Sequence, residues 1–282
     1  MKLLTNFYNL EYVDEILKYA DGVVVGLSGF STRETSYLTL EELEVVSKKL
    51  KQAKKELYLS LKPFIGSQKD GLLTLFELIK DFYITGLIVG DIGYYILLKD
   101  YNFKIIYNPE TLLTNSYDIN LLKDYGIKGA FISKEITLID IKEIIKLKEI
   151  PLYMTVHGYL NMFYSKRKLL KSYFDFINLK HDYHHDKMRI KEENREEFNP
   201  IIEDIFGTHV YRSEVTSYID YLDELKGLDY FNIDGIFHSD EYIIDVLKLF
   251  RNPSKELKEA LENKYKEKWD TGFFFKKTIY KG

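Results

Sequence analysis

Short apolar runs of five to eight residues alternate with longer amphipathic stretches along most of the chain. The runs are "KLLTN" (2–6), "GVVVG" (22–26), "ELYLSL" (56–61), "GLIVG" (86–90), "KIIYN" (104–108), "GAFIS" (129–133), "PLYMTVHG" (151–158) and "YFNIDG" (230–235). Each is short and rich in branched or aromatic residues, and all but "ELYLSL" begin or end on Gly, Pro, Asn or Asp, which is the signature of a buried strand. Between them the apolar positions recur with helical spacing, so the order is strand, helix, strand, helix. Eight such strands predict an α/β fold of the (β/α)8 barrel type.

The helices carry their own start signals. Thr39 stands three residues before Glu42 in "LTLEELEVVSKKLKQA", and Thr137 three before Asp140 in "ITLIDIKEIIKLKEI". A hydroxyl at the N-cap with a carboxylate three residues on is a capping box. Glycines in "DYGIKGAFIS" and "YITGLIVG" close the preceding helices. The rhythm breaks once, between the seventh and eighth strands, where about seventy residues (159–229) stand in for a connection of a few residues plus a helix. The expectation is one barrel domain over 1–282 carrying a rim insertion or subdomain over 159–229. Within it "KMRIKEENREEFNPIIEDIFGTHVYRS" alternates like a hairpin, and "EVTSYIDYLDEL" reads as a return to helix.

Composition narrows the chemistry more than the fold. The chain has no cysteine, which excludes disulfides, thiol catalysis, cysteine-ligated zinc and a cysteine-held iron-sulfur cluster. A net charge of −4 argues against strong nucleic-acid binding by this chain alone, unless a local basic patch or a basic partner exists. No apolar run reaches the roughly 18 residues of a membrane span, and "MKLLTNFYNLEYVDE" turns acidic too early for a signal peptide, so the expected location is the cytoplasm. The 24 Tyr and 18 Phe fit the codon bias of an AT-rich genome as well as they fit a binding surface, and they decide nothing.

In a barrel of this kind chemistry sits at the C-terminal strand ends. Those ends supply Asn6, Ser28 to Arg33 (with Gly29 and Ser31 between), Lys62, Asp91, Asn108 to Thr111 including Glu110, Lys134 with Glu135, His157 with Gly158, and Asp234. Cations, carboxylates and a histidine around one opening could hold a polar or anionic ligand. Each has a plainer reading: Asp91 as a helix cap, Asn108 with Pro109 as a turn, Lys134 and Glu135 as a solvated pair, His157 as a hydrogen-bonded rim residue. The cluster "HDYHHD" (181–186) offers imidazole and carboxylate, but its spacing builds no metal site on one helix face and it reads as a solvated loop.

Several separated segments resemble peptidase family U32, the collagenase-like proteases. "DGVVVGLSGFSTRETSYLTLEEL" is similar to that family's "GADAVYLG…GFS.R…FSLEEL" opening, "LIVGDIGYYILLKD" to its "IVQDLG…LL" element, and "NPETLLTNSYDINLLKDYGIKGAFISKEITLIDIKEI" to its "STQMNVTNSEAVRFLKELGV…REL…EI" stretch. "VHGYLNMFYSKRKLLKSYF" resembles its "VFVHGALCMSYSGRCLLS" signature, and "TGFFFKKTIYKG" the tail of short bacterial members. The resemblance runs in order from about residue 20 to 250 and implies a barrel-like fold. It keeps His157, Gly158, Tyr164 and Ser165 in place, which makes His157, Tyr164 and Ser165 the catalytic candidates. The ligand-binding candidates are Gly29, Ser31, Arg33, Asp91, Glu110, Lys134, Glu135, Gly158 and Asp234.

The departures from the family pattern carry as much weight. Asn161 and Lys168 stand where the signature has two cysteines, Tyr153 replaces an acidic residue ahead of the His-Gly pair, Glu110 takes the place of a glutamine and Lys134 of an arginine. Members with the full cysteine set are understood to hold an iron-sulfur cluster and to hydroxylate tRNA, rRNA or quinone precursors. This chain has no ligands for that cluster, so no cofactor and no metal are expected in it. The resemblance implies a subunit that works with a larger, cysteine-bearing U32 relative in making 5-hydroxyuridine at the tRNA wobble position, touching tRNA through that partner and touching no membrane. Alternatives are a peptidase, as the family name has it, and a free-standing barrel for a small polar ligand. No Cys nucleophile, H-E-x-x-H or G-x-S-x-G supports the peptidase, and Ser165 has no base identified in the sequence.

Overall fold

The structure is a computed structural model that describes residues 1–66, 69–180 and 188–275; the "HDYHHD" cluster and the end of the C-terminal tail lie outside the described residues. Seven parallel strands come first: β1 (Lys2–Thr5), β2 (Gly22–Leu27), β3 (Glu56–Leu61), β4 (Gly86–Val89), β5 (Ile105–Tyr107), β6 (Gly129–Phe131) and β7 (Leu152–Ser165). An inserted antiparallel set follows, β8 (Arg189–Lys191), β9 (Phe198–Asp204) and β10 (Gly207–Ser217), before the last barrel strand, β11 (Tyr230–Ile233). Strand β11 pairs in parallel with both β7 and β1, which closes the eight-stranded barrel and bears out the (β/α)8 reading.

The alternation of side chains explains why these runs are apolar throughout. One residue from each strand points into the barrel: Leu4, Val24, Tyr58, Ile88, Ile106, Phe131, Tyr153 and Tyr230 form a separate inner cluster. The aromatic members fill the lumen, with Tyr153 stacked on Tyr230 at 4.1 Å between ring centroids and on Phe131 at 5.2 Å. Tyr153, where the family signature has an acid, is therefore a piece of barrel filling. The alternate positions, such as Leu3, Val23, Val25, Leu57, Leu59 and Leu87, point outward under the helices. Both expected capping boxes form, on helices Leu40–Ala53 and Leu138–Leu147.

Strand β7 does not stop at the barrel rim. It runs unbroken through residue 159 and pairs antiparallel with β10 from His157 opposite Ser217 to Ser165 opposite Thr208. The "EVTS" expected to start a helix is strand, since its backbone completes this ladder, and only a single 3₁₀ turn at Ile219–Tyr221 follows. A short helix, Leu169–Phe176, sits on the hairpin through Leu170, Phe174 and Ile201, and the buried Glu203 carboxylate accepts from the Leu170 and Lys171 amides at its start. That carboxylate satisfies amides a helix start leaves open.

Candidate functional site

The C-terminal strand ends and the inserted hairpin together enclose a cavity of about 70 Å³ at the barrel mouth. It opens into a wider vestibule of about 220 Å³ that shares Arg33, Lys62, Asn108, Glu110 and Asn161 with it. The floor is apolar, made by Val24, Ile88 and Phe131 of the inner layer, and the wall is charged.

The wall is an ion-paired ring. Glu110 accepts from Arg33 at 3.0 Å and from Lys134 at 2.8 Å, and Glu34 accepts from Lys62 at 2.9 Å and from the Ser60 hydroxyl at 2.6 Å. Asp234 is held by the Asn6 side-chain amide at 2.8 Å and by the Ile236 backbone amide at 3.1 Å. Burial by itself would raise the Glu110 carboxyl, but the Arg33 and Lys134 charges beside it outweigh burial and hold it well below the ordinary carboxylate range. Burial would lower the Lys62 ammonium, and the Glu34 charge more than restores it. For Glu34, burial is the strongest influence and holds its carboxyl above the usual range despite Lys62 and Ser60.

Two partners in this ring sit in the left-handed backbone region that side chains other than glycine avoid: Arg33 at φ +60° and Glu110 at φ +66°. Such conformations cost on the order of 1–3 kcal/mol each and persist where the surroundings demand them. Of the four other non-glycine positive-φ residues, Lys54 and Lys266 are helix C-caps and Asn178 follows the end of helix Leu169–Phe176, whereas Phe237 (φ +69°) stands on the neighbouring side of the mouth. Strain thus collects around this opening.

The insertion supplies the roof. Tyr211 of β10 lies opposite Asn161 of β7, with slips of register on both sides of it, and these irregularities turn its side chain into the cavity. Tyr211 is 2% exposed, and burial holds its phenol far above the ordinary range, so it keeps its proton. Neither its hydroxyl nor Arg33 Nε has a hydrogen-bond partner among the described residues. Arg33 lies over the ring of Tyr164 at 5.6 Å, and Tyr164 stacks at 4.9 Å on His209, whose Nε2 is 3.1 Å from the Thr32 hydroxyl.

The structure gathers some of the expected site residues and separates others. Arg33, Glu110, Lys134 and Asp234 line one cavity. Gly29 (φ +81°) and Ser31 shape the loop that delivers Arg33; the Ser31 hydroxyl accepts from the Leu27 amide and donates to the Ser60 carbonyl. Gly158 (φ +130°) crosses Asp234 so closely that a Cβ would lie 2.4 Å from its carbonyl oxygen. Asp91 instead accepts from the Ile65 and Gly93 amides, and Glu135 is exposed beside Ser133. His157 is fully buried behind the mouth, with Nδ1 3.0 Å from the Ser217 hydroxyl and Nε2 2.8 Å from the Tyr242 hydroxyl. Ser165 sits at the far end of β7, its hydroxyl accepting from the Arg167 amide, and Tyr164 donates to the Phe206 carbonyl.

Glu34 and Tyr211 are absent from the residues singled out in the sequence. Glu34 carried a signal, a carboxylate next to Arg33 in the loop after a strand. Tyr211 carried none, because only the three-dimensional return of the hairpin brings it over the barrel. The two positions that replace the family's cysteines offer an amide, Asn161 on the cavity wall, and an ammonium, Lys168 before helix Leu169–Phe176. Neither fits as a ligand of an iron-sulfur cluster, which needs thiolates.

A family model described as peptidase family U32 matches residues 8–279. A "tRNA hydroxylation protein P2" from Bacillus subtilis (strain 168) is 33% identical over 202 residues, covering 64% of this chain and 65% of the relative, so the match spans just under two thirds of the relative's length. The solved structure of the U32 peptidase Mk0906 shares the fold with a TM-score of 0.54 and 15% identity, over 83% of this chain and 92% of that one.

Proposed function

This chain belongs to peptidase family U32, and from that premise we propose that it serves tRNA hydroxylation at the wobble uridine as an accessory subunit, rather than proteolysis. The observation that carries the reading is the likeness to a relative named for tRNA hydroxylation, over a stretch long enough to include most of the barrel. The layout of the site supports it. Among the described residues no imidazole is hydrogen-bonded to Ser165, and the His157–Ser217 pair is sealed in the core, where no peptide bond could reach it. Hydroxylation needs an oxidising centre, and the thiolates for one are missing here, so the proposal includes a second, cysteine-bearing U32 chain. A cytoplasmic location goes with that role; no helix among the described residues is long and apolar enough to cross a membrane.

The test is deletion of the gene followed by mass spectrometry of tRNA nucleosides. Loss of hydroxyuridine, restored by the plasmid-borne gene, is the expected result; an unchanged hydroxyuridine level overturns the reading. Affinity purification from the native cell should co-isolate the cysteine-bearing relative.

A further inference from the structure

We propose that this chain itself grips unpaired RNA, seating one carbonyl-bearing base in the barrel mouth and holding the flanking phosphates on a basic strip at residues 166–168. The proposal deepens the tRNA reading above and takes from it only the identity of the RNA. It rests on a separation of charge between the inside and the outside of the mouth.

Inside, the cations and carboxylates balance: Arg33, Lys62 and Lys134 against Glu34, Glu110 and Asp234. An anion entering would meet as many negative groups as positive ones, so the cavity suits a neutral ligand. Two of its lining residues carry a donor with no partner among the described residues, the Tyr211 hydroxyl and Arg33 Nε; both atoms are buried, so a ligand engages them as these side chains shift toward it. Buried polar groups in native structures are almost always paired, so a site with two open ones is built for an acceptor that arrives later. A ring carbonyl oxygen is such an acceptor, and the apolar floor offers the ring a face to lie on. A cavity of about 70 Å³ is several times the roughly 10–15 Å³ that admits one water, so it has room for the edge of a small planar ring whose remainder lies in the vestibule it opens into.

Outside, the balance is gone. Lys166, Arg167 and Lys168 are consecutive, exposed, and without a carboxylate partner among the described residues, in a chain whose net charge is −4. Lys166 Nζ lies 5.2 Å over the ring of Phe64, a 48% exposed vestibule residue that also faces Tyr164 at 6.2 Å. Adjacent aromatic rings and cations at the lip of a base-sized well are the elements that bind single-stranded nucleic acid: rings for stacking, ammonium and guanidinium groups for phosphate. The net charge argued that a basic partner or a local patch was needed, and this strip is such a patch.

The test is fluorescence anisotropy of the full chain with a labelled anticodon stem-loop carrying a loop uridine, and with the same RNA made abasic at that position. Replacing all three strip residues (Lys166→Ala, Arg167→Ala, Lys168→Ala) is expected to weaken both RNAs at least about tenfold and to reduce the slope of log affinity against log salt by about 2, at roughly 0.7 per phosphate contact. Tyr211→Phe, which breaks no hydrogen bond within the protein, is expected to weaken the uridine RNA about five- to tenfold and leave the abasic RNA unchanged. No RNA binding by the chain, an unaltered triple variant, or equal effects of Tyr211→Phe on the two RNAs each overturn the proposal. Circular dichroism on every variant confirms that the loss is not unfolding. The two readings fail separately: hydroxyuridine lost on deletion with no RNA affinity sinks the grip alone, whereas RNA bound as described with hydroxyuridine unchanged on deletion sinks the tRNA role alone.

Discussion

Two buried polar centres lie along the same β7–β10 ladder, and they are finished differently. At His157 both ring nitrogens are engaged, by Ser217 and Tyr242, and the edge of Trp269 packs against the imidazole at 4.6 Å. At the mouth, the hydroxyl of Tyr211 and Nε of Arg33 are left without partners among the described residues. An unpaired buried polar group costs about 1–3 kcal/mol; Tyr218 Oη, His209 Nδ1 and His238 Nδ1 also stand unpartnered among the described residues, but Arg33 and Tyr211 are the two that line one cavity. The closed centre therefore reads as architecture and the open one as a place for a ligand. A histidine after a glycine-bounded strand looked like the more promising of the two in the sequence, which shows how little residue type says without the partner list.

Substitutions should separate the two centres by size and kind of effect. The largest expected loss is at Glu110→Ala, which strands Arg33 and Lys134 against each other; urea unfolding should show about 3–5 kcal/mol less stability, and a change under about 1 kcal/mol would mean the ring is not a closed ion network. His157→Leu follows at about 2–4 kcal/mol, because the Ser217 and Tyr242 hydroxyls lose their shared partner, and it should leave ligand binding at the mouth as it was.

Acid should act on the closed centre first. Burial holds the His157 imidazole far below its ordinary value, so the unfolded chain takes up a proton below about pH 6.5 that the folded chain refuses. Stability should fall on that account by about 1.4 kcal/mol by pH 5.5, and the slope should flatten in His157→Leu. Glu110 acts in the same direction but in a lower window: its lowered carboxyl contributes stability that is fully present above the ordinary glutamate range and is lost as pH drops through and below that range, starting roughly two units lower than the histidine step. The smallest effect is expected at Tyr211→Phe, within about 0.5 kcal/mol of the parent or slightly more stable, since the hydroxyl removed has no partner to lose.

The frame was legible because its signals are local. Each barrel strand is a compact apolar run buried on both faces, and each of the two capping boxes is set by residues three apart, so "GVVVG" and "LTLEEL" announce themselves without reference to the rest of the chain. The strand ends then follow, and with them Arg33, Glu110, Lys134 and Asp234 as neighbours. What the sequence left hidden depends on long-range register. "EVTS" has a helix-like neighbour in "YIDYLDEL", and only pairing with β7 makes it strand; the same pairing carries Tyr211 over the mouth. His157 belongs to this group too, because Tyr242 and Trp269, which enclose it, come from segments 85 and 112 residues further along.

The aromatic layer of Tyr58, Phe131, Tyr153 and Tyr230 has a consequence for traffic. With Tyr58, Tyr153 and Tyr230 packed across the lumen beneath the floor of Val24, Ile88 and Phe131, the barrel is a well closed at its base. Whatever enters must leave by the same door, past the same lip of Phe64 and Tyr164, before the next molecule can take its place. Turnover at such a site is an exchange in sequence rather than a flow-through, and its speed limit is set by the departing occupant: tighter seating in the well lengthens the wait of the one behind it.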